Sequence, residues 1–385
     1  MLRRWSLFLH RWVGLLAGLP IVVIGLTGSV LVYRGALDRA FNPHLYDVSA
    51  PADTGAVTPG EALARVRREN PEPDPVTIQL PTGPDDPYVV WHEAAHGAEK
   101  TYVDPPTGRV LGVRPAGRDP VRALFDLHVN LLAGDSGLIG VGVLGLLLLF
   151  ASATGVVVWW PRGGRWIEAV TVRLRGNSRR VNYDLHRAGG FWTMAYLCIL
   201  ALTGSGLVFY GAAGDLLNEV TGSSSPPPPP ASGAPPEEAA VEVGSGGVPP
   251  ARIDRSWREL RRRAPDGEVT FISLPSGPRE TVSLRFRLPS ELHPVGRSFA
   301  YVDRWSGEVM RVDREPEMDA GPRLLHALYP LHIGDFEVGP VSPEMVRLVW
   351  ALLGAAPAVL AVTGFLVWYR RGGGASSVRS RNGDG

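Results

Sequence analysis

The stretch WVGLLAGLPIVVIGLTGSVLVY, residues 12–33, decides the fold. It runs 22 residues without one charged side chain. An α-helix rises about 1.5 Å per residue, so about 20 apolar residues cross a hydrocarbon layer about 30 Å thick. Three more stretches carry no charge: Ser136–Pro161, Ala188–Gly214 and Leu348–Tyr369, of 26, 27 and 22 residues. A core helix of a soluble protein is usually shorter and amphipathic. The chain therefore reads as a membrane α-helical protein with four transmembrane helices. Its net charge of +1 and near-zero mean hydropathy hide this, because apolar and polar residues are segregated.

The first apolar stretch is too long for a removable signal peptide, and no small-residue cleavage site follows it directly. Arginines set the orientation. Arg3, Arg4 and Arg11 precede the first span, seven arginines lie between Arg162 and Arg187, and Arg370, Arg371, Arg379 and Arg381 follow the fourth. The positive-inside rule puts all three groups in the cytoplasm. The expectation is a multi-pass protein of the plasma (inner) membrane with both termini cytoplasmic. Residues 34–135 and 215–347 then lie outside, in an exterior or periplasmic space. Trp159, Trp160, Trp368 and Tyr369 fit an aromatic belt at the inner interface. The single cysteine, Cys198, excludes an internal disulfide and a Cys-ligated cluster.

The halves repeat. Leu9-His10-Arg11 recurs as Leu185-His186-Arg187, and Leu26-Thr27-Gly28-Ser29 as Leu202-Thr203-Gly204-Ser205, both at an offset of 176. Leu80-Pro81-Thr82-Gly83-Pro84 matches Leu274-Pro275-Ser276-Gly277-Pro278, and Tyr102-Val103-Asp104 matches Tyr301-Val302-Asp303. Thr154-Gly155 and Trp159 match Thr363-Gly364 and Trp368. The pattern is a two-fold parallel repeat of helix, exterior domain, helix. Each exterior domain reads as α+β. Thr58-Pro59-Gly60-Glu61 is a capping box opening a short helix. Strands are expected at Val76–Leu80, Tyr88–Trp91, Lys100–Asp104 and Arg109–Val113. The second half repeats this with a helix at Arg252–Arg263 and strands near Val269, Val282, Ser298 and Val309.

The expected order along the chain is a first span within 1–35 and a first exterior domain over 36–120. An outer histidine segment and second span follow over 121–162, then an arginine-rich cytoplasmic loop over 163–187 and a third span over 188–214. Residues 222–250, rich in Pro, Ser and Gly, read as a disordered spacer. A second exterior domain covers 251–320, an outer histidine segment and fourth span 321–371, and a cytoplasmic tail 372–385.

Histidines carry most of the functional signal. His10 and His186 precede spans on the cytoplasmic side, at equivalent places in the repeat. His128 and His332 precede the other two spans on the outer side. A lone interfacial histidine simply sits at headgroup level, whereas four in two symmetric pairs suggest ligation. Neutral imidazole is a good iron ligand, and two imidazoles from facing helices can hold a low-spin haem. Arg11 and Arg187 could pair with haem propionates, or could be simple positive-inside anchors. His326 is a rival to His332. His128 to Thr154 is 26 residues and His332 to Thr363 is 31, so the spacing is not strictly repeated. Straight helices would leave His10 and His128 beyond the hydrocarbon edge. Either the ligand segments dip inward, or aromatic residues such as Trp12 and Trp192 bridge the gap. His92-Glu93-Ala94-Ala95-His96 has the zinc-peptidase pattern, but that chemistry needs a helix and this segment continues a strand. His44 and His293, each beside a proline, read as loop residues.

The order of spans, the LHR, LTGS and PLHxG motifs and the α+β units resemble the PepSY-associated transmembrane family over nearly the whole chain. The family includes iron-regulated inner-membrane proteins, among them di-haem ferric-siderophore reductases. The resemblance implies PepSY-like exterior domains and two b-type haems with His10, His186, His128 and His332 as axial ligands. The implied function is a haem-bearing membrane electron conduit, a possible reductase of a ferric siderophore or other ferric chelate. Its partners would be the lipid bilayer, the chelate and an unidentified electron donor, a reductase or a quinol; no nucleic acid is expected. The alternative is a non-enzymatic membrane-anchored protein that restrains a peptidase or acts as a sensor. A transport component is disfavoured, because the spans hold no Asp, Glu, Lys or Arg.

Overall fold

The computed structural model describes residues 1–49, 56–70, 74–94, 97–115, 117, 119–234, 247–277, 279–337 and 339–379. Among these, four helical stretches are long and apolar enough to cross a membrane: Leu2–Leu31, Gly134–Trp159, Ser178–Val208 and Pro343–Arg370. The third begins ten residues before the expected 188, so His186 lies inside a spanning helix rather than ahead of it. The fourth is two helices, Pro343–Gly354 and Ala356–Arg379, with a break at Ala355. Pro357 accounts for the break, since it has no N–H to donate and its ring crowds the preceding turn. The last helix also runs past 371, into the segment expected to be a tail.

These spans form one unit, residues 1–33, 124–213 and 328–385. Within it the first and third spans each pack against the second and fourth, so the first and third stand diagonally opposite. Small residues set the closest approaches, as helices in lipid require. A β-carbon on Gly25 would lie 2.9 Å from the Gly354 carbonyl oxygen. One on Gly145 would collide with Ser205 Oγ, which donates to the Gly142 carbonyl at 2.9 Å.

The second unit, residues 34–123 and 214–327, is built on a sheet. Its strands are β1 (Pro75–Gln79), β2 (Tyr88–Ala94), β3 (Gly97–Val103), β4 (Val110–Pro115), β5 (Glu268–Ser273), β6 (Val282–Arg287), β7 (Ser298–Val302) and β8 (Val309–Asp313). Every strand expected from the sequence is present. The two expected exterior domains are nevertheless not separate. Their strands form one antiparallel sheet in the order β4-β3-β2-β1-β5-β6-β7-β8. Alone, each half-sheet would end in an open row of unpaired N–H and C=O groups at β1 or β5, and pairing them removes both edges. The seam centres on Ile78↔Ile272. On either side, Leu80 N–H donates to the Thr270 carbonyl and Leu274 N–H to the Val76 carbonyl, each at 2.9 Å.

Two helices, Pro59–Glu69 and Pro250–Arg263, cover one face of this sheet. They bury Leu63, Val66, Ile253 and Leu260 against Ile78, Val90, Ile272 and Phe286. The capping box of the first helix is formed: Glu61 N–H donates to Thr58 Oγ1 at 3.2 Å, and Thr58 N–H to Glu61 Oε2 at 2.8 Å. Asp254 of the second helix ties the two together, accepting from Thr58 Oγ1 and from Gly60 N–H, each at 2.7 Å.

The proline-rich spacer needs correcting over its first part. Within 224–234 the chain is mostly exposed but is tied by hydrogen bonds to the sheet unit. Arg311 donates to the carbonyls of Pro228 and Pro227 at 3.0 and 3.2 Å, Gly233 N–H to Asp303 Oδ2 at 2.8 Å, and Trp305 Nε1 to the Gly233 carbonyl at 3.0 Å. Prolines lack an N–H but keep a strong acceptor, and the sheet supplies donors. Residues 235–246 of the expected spacer lie outside the described residues.

Candidate functional site

His10 projects from the first span and His186 from the third, and their ring centres lie 6.1 Å apart. His128, in the helix Pro120–Asn130, faces His332, in the helix Ala320–Ile333, with ring centres 6.0 Å apart. The four histidines thus meet as two pairs, each with one member from either half. His326 is not part of them. Its Nδ1 is buried without a partner among the described residues, and burial, followed by the Arg297 and Arg285 charges, pushes its pKa down to about 4.

All four rings are seated in the same way. His10 Nδ1 donates to the Ala151 carbonyl at 2.9 Å, with Thr154 Oγ1 at 3.4 Å. His186 Nδ1 donates to the Leu360 carbonyl at 3.1 Å, with Thr363 Oγ1 also at 3.1 Å. His128 Nδ1 donates to the Ile24 carbonyl at 2.9 Å, with Thr27 Oγ1 at 3.2 Å. His332 Nδ1 lies 3.0 Å from Thr203 Oγ1 and bonds the backbone of Leu200. In each seat the carbonyl belongs to the residue three before the threonine. Each threonine hydroxyl donates to the carbonyl four residues back in its own helix, at 2.7–2.9 Å, which leaves its lone pairs for the imidazole.

The residue after each threonine is a glycine, and the ring lies against it. A β-carbon on Gly28 or Gly204 would sit 2.8 or 2.9 Å from Cε1 of His128 or His332. On Gly155 or Gly364 it would sit 3.2 or 2.9 Å from Cε1 of His10 or His186. In the sequence these four Thr-Gly pairs mark a repeat; their role as seats shows only in the fold. The available signal was that four such pairs accompany four symmetric histidines.

A carbonyl can only accept, so Nδ1 must carry the proton in each ring, and Nε2 is then an unprotonated lone pair. A neutral imidazole whose Nδ1–H is held by a carbonyl is the form in which histidine ligates metals. Metal–imidazole bonds are about 2 Å long, which places two axial rings about 6 Å apart, centre to centre; both pairs have this spacing. Among the described residues, no group of three or more His, Cys, Asp or Glu gathers as a bare-ion site. Two imidazoles per site suit a metal whose macrocycle supplies its other ligands. The unequal 26- and 31-residue spacings differ in the connections: a tight turn at Leu131–Ala133 in one half, and a longer stretch of sequence between the helices ending at Ile333 and beginning at Pro343 in the other.

Arg187 and Arg11 part company. Arg187 donates to Asp184 Oδ1 at 3.1 Å and to the Glu168 carbonyl, and it lines a cavity at that end of the spans. Arg11 is exposed, its guanidinium 5.7 Å from the Trp12 ring centre and 6.0 Å from that of Phe8. Trp192 is also exposed, with Nε1 bound to the Val170 carbonyl. The seats at Ile24–Gly28 and Leu200–Gly204 lie within spanning helices, so the outer ligand segments dock inward. His92 and Glu93 lie in β2, in a hairpin that closes at Ala94↔Gly97. His92 is fully buried, with Nε2 3.0 Å from Thr101 Oγ1. Ala95 and His96 lie outside the described residues.

Four apolar spans and an attached α+β unit define a multi-span membrane protein. The chain belongs to the PepSY-associated transmembrane family, whose model matches residues 7–371. It is similar to the uncharacterized protein PA4219 of Pseudomonas aeruginosa, 24% identical over 264 residues, which are 67% of this chain and 65% of that protein. The matched region thus spans just under two thirds of this curated relative.

Proposed function

We propose that this protein is a membrane electron conduit with two b-type haems, one held by His10 and His186 and the other by His128 and His332. It delivers electrons to a ferric chelate, such as a ferric siderophore, outside the plasma membrane. The observation that carries this reading is the common seat of the four rings, each with Nδ1–H engaged and each facing a partner ring at about 6 Å. Haem at such a pair supplies one-electron exchange at a low-spin iron. The chain does the rest: the carbonyls fix the tautomer, the threonines brace the rings, the glycines admit them, and the apolar spans exclude water. The ferric ion of the chelate gains one electron and becomes ferrous. The electron comes from a quinol or a separate reductase, because the sequence has no strand-GxGxxG-helix unit.

The two halves are, on this reading, parallel copies. The sheet order is the same read from either end, and Ile78 pairs with Ile272, its own counterpart at the 194-residue offset of the Leu80 and Leu274 motifs. The arginine-bearing ends of the spans face the cytoplasm and the sheet unit faces outward.

The test is the visible spectrum of the purified full chain, with haem counted per protein. Two haems and a low-spin bis-imidazole spectrum are expected. His10→Ala and His186→Ala should each remove or convert the same haem, and His128→Ala and His332→Ala the other. A colourless protein after haem supplementation would overturn the reading and leave a peptidase-restraining or sensing role.

A further inference from the structure

At the arginine-bearing end of the spans lies a cavity of about 740 Å³ to which all four spans contribute. Arg3 comes from the first, Trp159 from the second, Arg179 and Arg187 from the third, and Arg370 from the fourth. Seven arginines line it, against two carboxylates, Glu168 and Asp184. Both carboxylates are already engaged: Asp184 by Arg187 at 3.1 Å and Arg180 at 3.6 Å, Glu168 by Arg173 at 3.0 Å. Among the described residues Arg162, Arg165, Arg179 and Arg370 have no carboxylate partner. Arg187 Nε and Arg370 Nη1 are also buried with no acceptor. A buried guanidinium N–H without an acceptor is costly, and two at one cavity, amid surplus positive charge, call for an anion.

The surroundings say how the anion arrives. Trp160 in the lining is exposed, as is Trp166, whose ring centre lies 5.4 Å from that of Trp160, and Ile167, next in the chain to the lining Glu168, is more than three-quarters exposed. Leu366 and Val367 continue the cavity wall down the fourth span. A free phosphate needs no apolar rim, whereas a lipid has acyl chains to lay along one. Basic pockets between transmembrane helices are suited to anionic headgroups.

We propose that this cavity is a binding site for the phosphate headgroup of an anionic phospholipid, with Arg179, Arg187 and Arg370 as its charged donors. Neither His10 nor His186 lines the cavity, and the lipid-retention arms of the test do not depend on haem or electron transfer. The full chain in detergent is offered phosphatidylglycerol or phosphatidylcholine, and retained lipid is counted by native mass spectrometry. Melting temperature is followed in parallel, with millimolar inorganic phosphate as a further arm. Phosphatidylglycerol should be retained and should raise the melting temperature, phosphatidylcholine should do neither, and phosphate alone should have little effect. Arg179→Gln with Arg370→Gln should weaken phosphatidylglycerol retention about tenfold or more, as loss of charge-assisted bonds does. Arg179 is exposed, so its single variant keeps the test alive if the double variant fails to fold. Equal retention of both lipids, or unchanged retention in the variants, would overturn the proposal. So would phosphate alone matching the lipid, which would make this a soluble-anion site. Loss of haem with lipid retention intact would instead assign these arginines to the cofactor's carboxylates.

Discussion

At Gly204 the space for a side chain is already taken by the His332 ring, and at Gly28 by that of His128. Alanine at either position must push an imidazole off its seat, because the backbone behind it belongs to a packed span. If the pairs hold haem as proposed, Gly204→Ala and Gly28→Ala should each cost the haem of the His128–His332 pair and spare that of the His10–His186 pair, as counted by haem per protein. Thr203→Val is milder. It removes one acceptor from His332 Nδ1 and leaves the Leu200 backbone. A less strongly held Nδ1–H would make Nε2 a weaker donor to the ferric iron of the proposed haem. Haem should therefore be retained and its midpoint potential should rise, by tens of millivolts on a scale of about 59 mV per tenfold; an unmoved potential would remove the threonines from the mechanism. His92 belongs to the core. Its replacement by alanine opens a cavity and leaves buried Thr101 without its partner, at a cost of about 2–4 kcal/mol in a denaturant titration of the sheet unit. The histidines were legible in the sequence because two recur at one offset and two stand ahead of corresponding spans. The seats were not, because each forms between helices, and nothing local marks a Thr-Gly pair as the floor for a ring from elsewhere.

Elements with a local signature were legible: four charge-free stretches, a capping box and strands set off by Gly-Pro turns. What escaped depends on non-local partners. The β1–β5 pairing has no sequence mark in either strand, and the stretch 226–233 reads as spacer until Arg311 is seen to hold Pro227 and Pro228, and Asp303 to hold Gly233. Asp303 is the latch, accepting from the amides of Gly233, Trp305 and Ser306 at 2.8, 3.0 and 2.7 Å. In Asp303→Ala those amides should exchange with deuterium about tenfold faster or more, the effect of losing a bond worth about 1.4 kcal/mol. The β6–β7 connection carries a pH response. Burial, then the Arg297 and Arg285 charges, push His293 down to about 2, and Val295 N–H donates to its Nδ1 at 3.3 Å. Unfolded histidine titrates near about 6.5. Below that pH the unfolded chain takes up a proton that the folded chain refuses, so stability falls as pH falls, by up to about 1.4 kcal/mol per pH unit for the site. Glu315, raised by burial and by Glu291, acts in the opposite sense. The check is therefore the slope of stability against pH in His293→Gln, which should be flatter than in the parent; parallel slopes would show that His293 is not the group responsible.

Across the whole molecule the two units are continuous through the chain, and each is also joined internally by contacts of one half with the other. The imidazole pairs join first span to third and one pre-span helix to the other; β1 joins β5. Cutting the connection near Gly176, between the second and third spans, breaks none of these contacts. Co-expressed fragments 1–175 and 177–385 should therefore purify together with the haem spectrum of the intact chain, and fragments that do not associate would show that covalent continuity is required. The seam carries a further consequence. A strand that meets its own counterpart in antiparallel register, with Ile78 opposite Ile272 and matching hydrogen bonds on both sides, has the geometry of a dyad. It is the interface that two identical subunits would make. If the halves are copies, as proposed, a half-length ancestor would have built both histidine pairs as a homodimer, each pair made by the same histidine from two copies. Fusion into one chain would then have released the copies from identity, so that one half could acquire a proline strap and a longer loop while the four ring seats stayed alike.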